Sequence, residues 1–139
     1  MLTGRLLRRY REVERGFTLI ELLIVVSLIV VLATISLATY RNSVQRGREA
    51  VLREDLYRMR DAIDQHFADK GKYPASLDDL VSAGYLRTIP VDPVTQSATT
   101  WQTIQAEPDP ANQTAEPGVY NVKSGAVGQA LDGTNFSDW

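Results

Sequence analysis

The stretch RGFTLIELLIVVSLIVVLATISLATYR, from Arg15 to Arg41, decides the fold of this chain. Between its two terminal arginines it holds a single charged residue, Glu21. About 24 apolar or small residues, at a helical rise of 1.5 Å per residue, span about 36 Å, which is enough to cross a hydrocarbon core of about 30 Å. The sequence therefore predicts a membrane-spanning helix over residues 17–40.

The charges on either side of this run predict its orientation. Residues 1–16 contain five arginines and two glutamates, whereas the region from Arg41 onward contains ten basic and fourteen acidic side chains. The positive-inside rule then places the N-terminus in the cytoplasm and residues 41–139 on the opposite side of the membrane. Nucleic-acid binding is not expected, because it requires a basic surface and this region is acidic.

The apolar run differs from a secretory signal that is removed after export. Such a signal has an apolar core of about 7–15 residues followed by a cleavage site of the A-x-A type. The run here is longer, and LATISLATY offers only weak sites of that type. These features favour a retained membrane anchor over a cleaved signal.

Glu21 has two interpretations in this setting. As a purely structural residue it would extend toward the lipid headgroups, since a carboxylate in the membrane costs up to a few kcal/mol. As a functional residue it would need a cationic partner. If the chain were cut after Gly16, the new α-amine of Phe17 would be such a cation, four residues from Glu21 in the same chain or in a neighbouring subunit.

The segment RGFTLIELLIVV resembles the class III signal of type IV pilins and type II secretion pseudopilins. The resemblance implies that residues 1–16 are a leader, which a prepilin peptidase removes by cutting between Gly16 and Phe17. It also implies N-methylation of Phe17. Glu21 would then be an assembly group that pairs with the Phe17 amine of an adjacent subunit in a filament.

The helix is expected to continue beyond the membrane to Lys70. A stripe of apolar residues at helical spacing predicts its buried face: Leu52, Leu56, Met59, Ile63 and Phe67. Gly71 is predicted to end the helix, and Pro74 prevents its continuation.

Residues 41–139 are predicted to form a small head, which includes the C-terminal half of the long helix and, from residue 73 onward, a second helix and a sheet. In YPASLDDLVSAGYL, Ser76 and Asp79 have capping-box spacing, so a short second helix should start after Ser76 and end near Gly84. TTWQTIQA and GVYNVKS have strand-like composition and are separated by a polar, proline-containing loop. They predict a small antiparallel sheet on the long helix.

The segment GKYPASLDDLVSAGYLRTIPVDP is similar to the corresponding region of the major pseudopilins of type II secretion. Together with the signal, this resemblance covers about residues 15–93. The chain departs from the family at DPVTQ, where an Asp-Pro-Trp-Gly sequence is typical. It contains no cysteine, which favours a pseudopilin over the many type IV pilins that have a C-terminal disulfide.

The same resemblance implies a calcium ion in the C-terminal loop. LDGTNFSDW offers the carboxylates of Asp132 and Asp138, and calcium binds six to eight oxygen atoms. The alternative is a polar turn around the Asp-Gly dipeptide, without a metal.

No enzymatic function is predicted, and no catalytic residue is assigned. The chain has no cysteine and one histidine, His66, which is expected at the edge of the buried helix face. The sequence contains neither a nucleophile-elbow motif nor a phosphate-binding loop motif.

These observations predict an α+β, type IV pilin-like fold, in which a long N-terminal helix carries a head of one short helix and an antiparallel sheet. The predicted function is that of a structural subunit of a pilus-like filament, most specifically the major pseudopilin of a type II secretion system. Its expected partners are other copies of itself, the prepilin peptidase, the inner-membrane assembly platform and minor pseudopilins. It would be anchored in the bacterial inner membrane with its head in the periplasm. A type IV pilin, a competence pseudopilin and a membrane-anchored binding module remain alternatives.

Overall fold

The computed structural model describes residues 16–114 and 116–139. The predicted leader lies outside these residues except for Gly16. The chain divides into two compact units at the Ala38–Thr39 junction. Its elements are, in order, α1 (Leu19–Lys70), α2 (Leu77–Ser82), β1 (Gln102–Gln105), β2 (Val119–Lys123) and a 3-10 turn (Phe136–Asp138). This content confirms the predicted α+β class.

In the first unit, all described side chains are exposed and most are apolar. By length and composition α1 is able to cross a membrane, with a mean hydropathy of 2.8 in its most apolar part. The hydroxyls of Ser27 and Thr34 donate to the carbonyls of Leu23 and Val30, at 2.7 and 2.8 Å. These polar groups are therefore satisfied within the helix, as a hydrocarbon environment requires.

In the second unit, one face of α1 contributes to the hydrophobic core. The predicted stripe is confirmed for Leu52, Leu56, Met59 and Ile63, which are all buried. The other main members of the core are Leu77, Leu80, Trp101, Val119, Val122, Ala126, Ala130 and Phe136. The helix continues through Gly47 without a break.

The last turns of α1 differ from the prediction. Phe67, predicted to be buried, is 43 % exposed, whereas His66 is only 4 % exposed. The imidazole Nδ1 of His66 donates to the carbonyl of Lys72 at 2.9 Å, and its ring contacts the edge of Tyr85. The prediction was wrong because the chain returning after α1 packs against position 66 and supplies a hydrogen-bond acceptor there.

The short helix α2 begins as predicted, with a complete capping box. The Ser76 hydroxyl accepts from the N–H of Asp79 at 3.3 Å, and the Asp79 carboxylate accepts from the N–H of Ser76 at 3.2 Å. Leu77 and Leu80 are buried against the core. Gly84 follows the helix with a φ of 86°, a conformation that glycine adopts at low cost.

The strands β1 and β2 pair in antiparallel orientation, with Gln102 opposite Lys123. Val119 and Val122 of β2 are buried. From α1, the Arg60 guanidinium donates to the carbonyl of Val122 at 2.9 Å. A two-stranded sheet is marginally stable in water, so its packing and hydrogen bonding to α1 stabilise it.

A fully buried carboxylate, Asp92, joins two loops of the head. One of its oxygens accepts from the N–H groups of Val94 and Thr95, at 2.8 and 3.2 Å, and the other accepts from the Ser124 hydroxyl at 2.6 Å. A buried charge is tolerated when it is hydrogen-bonded in this way. Asp92 thus positions the turn that precedes β1 against the segment that follows β2.

Gly125 lies in that segment because the backbone of Thr100 passes too close for a side chain. A Cβ atom at position 125 would overlap the Thr100 carbonyl oxygen, whereas a Cβ atom at Gly47 would have no neighbour within 4 Å. The same substitution should therefore have opposite effects at these two glycines.

We predict that Gly125→Ala lowers the free energy of unfolding by about 1–3 kcal/mol, because the two backbone segments must separate. Gly47→Ala should raise it by about 0.5–1 kcal/mol, because alanine is the better helix former. Urea unfolding of the full chain in detergent, followed by tryptophan fluorescence, measures both effects. Equal effects of the two substitutions would contradict the close approach at Gly125.

Candidate functional site

The predicted site at the start of the apolar helix is organised by Thr18. This residue lies immediately before α1, and its hydroxyl accepts from the N–H of Glu21 at 3.2 Å. Its carbonyl accepts from the N–H of Leu22 at 3.1 Å, which is the first bond of the helix. Thr18 is therefore an N-cap. The spacing of Thr18 and Glu21 is that of a capping box. This local signal is present in the sequence, but the cap at Thr18 was not among the predicted features.

The Glu21 side chain is exposed on the first turn of α1. It does not complete the capping box, because no hydrogen bond joins its carboxylate to the N–H of Thr18. In residues 16–114 and 116–139 the ion pairs are Arg53–Asp132 and Arg58–Glu54, so Glu21 has no cationic partner there. The helix dipole favours a carboxylate at this end. The backbone of Glu21 is thus fixed by the cap, and its carboxylate remains available to a cation from outside the described residues.

Gly16 and Phe17 precede the N-cap, and both are exposed. Phe17 is 81 % exposed and lies before the first turn of α1 rather than on it. A Cβ atom at Gly16 would meet nothing within 4 Å, so the fold itself does not require glycine at this position. Cleavage between these residues, methylation of Phe17 and the pairing role of Glu21 stay predictions.

At the other end of the chain, Asp132 and Asp138 are held by neighbouring side chains. One oxygen of Asp132 accepts from the N–H and the hydroxyl of Thr134, at 3.0 and 2.6 Å, and the other forms an ion pair with Arg53 at 3.2 Å. The hydrogen bonds from Thr134, together with the Arg53 guanidinium, lower the pKa of Asp132 below its ordinary value. Asp138 accepts from the Asn135 amide at 3.2 Å.

This arrangement does not fit a calcium ion. Calcium needs six to eight oxygen ligands, and the described part of the chain has no cluster of three or more His, Cys, Asp or Glu side chains that could hold a metal. Both oxygens of Asp132 are already engaged, one of them by a guanidinium. A calcium ion at this carboxylate would meet that positive charge. Calcium binding stays a prediction from the family resemblance alone.

The family model described as "Prokaryotic N-terminal methylation motif" matches residues 13–37. The chain carries this motif. It includes Gly16, Phe17 and Glu21, together with most of the apolar run. The predicted resemblance to pilins and pseudopilins is confirmed, and the long apolar N-terminal helix with its small α+β head is a type IV pilin-like architecture.

Three relatives illustrate what the chain is similar to. It is 35 % identical over 79 residues to the fimbrial protein EcpC of Eikenella corrodens, a match that covers 57 % of this chain and half of EcpC. It is 29 % identical over 96 residues to the type II secretion system core protein G of Klebsiella pneumoniae, covering 58 % of this chain and 69 % of that protein. The protein G of Escherichia coli K12 is 27 % identical over 101 residues, covering 61 % and 70 %. No solved structure gives a significant match.

We predict that Thr18→Val frays the first turn of α1, because the N–H of Glu21 loses its acceptor. A lost N-cap costs about 1 kcal/mol, so the Glu21 amide should exchange with solvent about fivefold faster. Amide hydrogen exchange by NMR, on the full chain in micelles, measures this rate.

Thr34→Val is the matched control, because the Thr34 hydroxyl donates to a carbonyl and no backbone N–H depends on it. Thr18→Ser should restore the wild-type rate, because serine is also an effective cap. An unchanged Glu21 exchange rate in Thr18→Val would show that Thr18 does not cap the helix.

Proposed function

We propose that this chain is a structural subunit of a pilus-like filament, and specifically the major pseudopilin of a type II protein secretion system. The observation that carries the proposal is the start of α1. A capped first turn presents Glu21, which has no cationic partner among residues 16–114 and 116–139, on an apolar stretch whose side chains are exposed. The N-terminal methylation motif covers the same residues. This combination suits a helix that leaves lipid to pack against copies of itself.

The energetics of the two environments support assembly. An unpaired carboxylate at membrane depth costs up to about 3 kcal/mol, and less near the headgroups. Pairing with the Phe17 amine of a neighbouring subunit would offset that cost, because each charge then supplies the counter-ion of the other. An unpaired charge is strongly disfavoured in an apolar interior, so the pairing would also select the register between adjacent helices.

The extent of the matches favours a pseudopilin within this class. The two proteins G align with this chain over 96 and 101 residues, 69 % and 70 % of their own lengths. The fimbrial protein FimA of Dichelobacter nodosus aligns over 62 residues, 39 % of its length. The matches to the proteins G thus take in a larger share of the relative's own length than the match to FimA, or the match to EcpC at 50 %. The absence of cysteine from the sequence agrees with this choice.

The proposed setting is the bacterial inner membrane. The N-terminus lies in the cytoplasm, where a prepilin peptidase cuts after Gly16 and Phe17 is methylated. The head, residues 41–139, lies in the periplasm, where it meets other copies, minor pseudopilins and the assembly platform. A head-to-tail contact between identical subunits does not close on itself and generates a helical fibre. The chain acts as the substrate of the peptidase, and catalysis is not part of its role.

A type IV pilin is the second candidate, because EcpC has the higher identity to this chain, 35 %. The two candidates differ in where the fibre functions. Deleting the gene in the native host should abolish export of folded proteins if the chain is a pseudopilin. It should abolish surface fibres and leave export intact if the chain is a type IV pilin.

We predict that the mature chain in its native host begins with N-methylated Phe17, as measured by intact mass and N-terminal sequencing. Gly16→Val should leave the chain uncleaved, with Met1 at its start. Because a side chain at position 16 meets nothing in the fold, this loss would reflect recognition by the peptidase rather than unfolding. A wild-type chain that retains Met1 would instead favour a plain membrane-anchored binding module.

We predict that Glu21→Gln reduces filament yield about tenfold or more, because the neighbouring amine loses its counter-charge in an apolar interior. Sheared or membrane-associated filaments are counted by electron microscopy in a strain lacking the wild-type gene. Membrane insertion and leader cleavage should be retained.

Glu54→Gln is the control, because Glu54 is an exposed glutamate of the same helix in the head and pairs with Arg58. It removes the same charge and should leave filament yield unchanged. Normal filaments from Glu21→Gln would refute the pairing mechanism.

A further inference from the structure

The C-terminal loop, residues 129–139, is folded by its own backbone and anchored by a buried aromatic ring. The Ala130 N–H donates to the Thr134 carbonyl at 2.8 Å, and Gln129 forms an isolated bridge with Asn135. Phe136 is 5 % exposed and belongs to the hydrophobic core. Trp139 contacts its ring edge-on, at 5.3 Å between the ring centroids.

Two residues of α1, one helical turn apart, contact this loop. The buried carboxylate of Glu49 accepts from the N–H of Leu131 at 2.8 Å. Arg53 pairs with Asp132 at 3.2 Å, and its guanidinium carbon lies 4.3 Å from the centroid of the Trp139 ring. A guanidinium over an indole face makes a favourable cation–π contact. One arginine thus contacts both the start and the end of the loop.

These contacts close into a ring of four residues. Arg53 binds Asp132, and Asp132 accepts from the hydroxyl of Thr134 at 2.6 Å. The Thr134 hydroxyl accepts from the indole N–H of Trp139 at 2.8 Å. The Trp139 ring lies under the guanidinium of Arg53, which completes the ring. We call this ring the arginine clasp.

We infer that the Arg53 guanidinium is the cation that secures the C-terminal loop, at the position where the family resemblance predicts calcium. A bound cation would neutralise Asp132 and join the two ends of the loop to the helix, and Arg53 does both. It also occupies the oxygen of Asp132 that Thr134 leaves free. The stability of the head is then independent of calcium. This inference does not rest on the proposed filament function, because it concerns the folding of the head alone.

The test is thermal unfolding of the full chain in detergent, followed by tryptophan fluorescence. We expect the wild-type protein to have the same Tm in a chelator and in millimolar calcium chloride. Arg53→Gln should lower the Tm by about 4–8 °C in both solutions, because the ion pair and the cation–π contact are lost together. Added salt should narrow this difference, since it screens an exposed ion pair.

Arg58→Gln is the matched control. Arg58 also pairs with a carboxylate, Glu54, and is similarly exposed, but that pair lies within the helix and does not reach the loop. It should shift the Tm by less than about 2 °C. Asp132→Asn removes the ion pair but leaves the cation–π contact, so it should lower the Tm by less than Arg53→Gln does. The double variant should be no less stable than Arg53→Gln alone, because that substitution already removes the ion pair.

Two results would overturn the inference. A wild-type Tm that rises in calcium, with the rise lost in Asp132→Asn, would identify a calcium site, because a specific ligand stabilises the folded state by mass action. Equal Tm shifts for Arg53→Gln and Arg58→Gln would show that the clasp does not hold the loop. This experiment does not measure filament formation. Neither result therefore bears on the proposed function, which the filament counts with Glu21→Gln test separately.

Discussion

The apolar stretch of α1 depends on an unbroken backbone hydrogen-bond ladder. In hydrocarbon, each backbone N–H and C=O must find its partner within the helix, because no water is present to replace it. The stretch meets this requirement: it contains no proline, the hydroxyls of Ser27 and Thr34 bond to the preceding turn, and Thr18 caps its start. The only charge that remains is Glu21. Among the described residues its carboxylate has no cationic partner, which is why the proposed function gives it one in a neighbouring subunit.

After the apolar stretch, the same helix forms part of the hydrophobic core of the head. In the second unit, one face of α1 is buried, and the small head packs against it. The two-stranded sheet and the six-residue helix α2 are too small to be stable alone. Buried polar groups complete the head, with Asp92 joining two loops and Glu49 holding the backbone of the C-terminal loop. Stability of the head thus comes from packing on α1, with polar groups selecting how the loops are arranged.

The features that sequence analysis predicted well are local ones. The capping box of Ser76 and Asp79 depends on residues three positions apart, and the structure forms it as expected. At the end of α1, the burial of His66 instead of Phe67 could not be predicted in this way. A period of 3.6 allows either position to follow Ile63, and the choice depends on a carbonyl supplied by Lys72 after the chain turns. The cap at Thr18 was predictable, because its spacing to Glu21 is a local signal.

The sequence by itself determined the apolar run, the Gly16-Phe17 motif with Glu21, the extent of the helices and the absence of any disulfide. Each of these follows from composition or from spacings within a few residues. Only the tertiary structure decided which groups hold the loops of the head. Arg53 and Asp132 are 79 positions apart, and Asp92 and Ser124 are 32 apart. No periodicity links such residues, because their contact arises only when the core brings distant segments of the chain together.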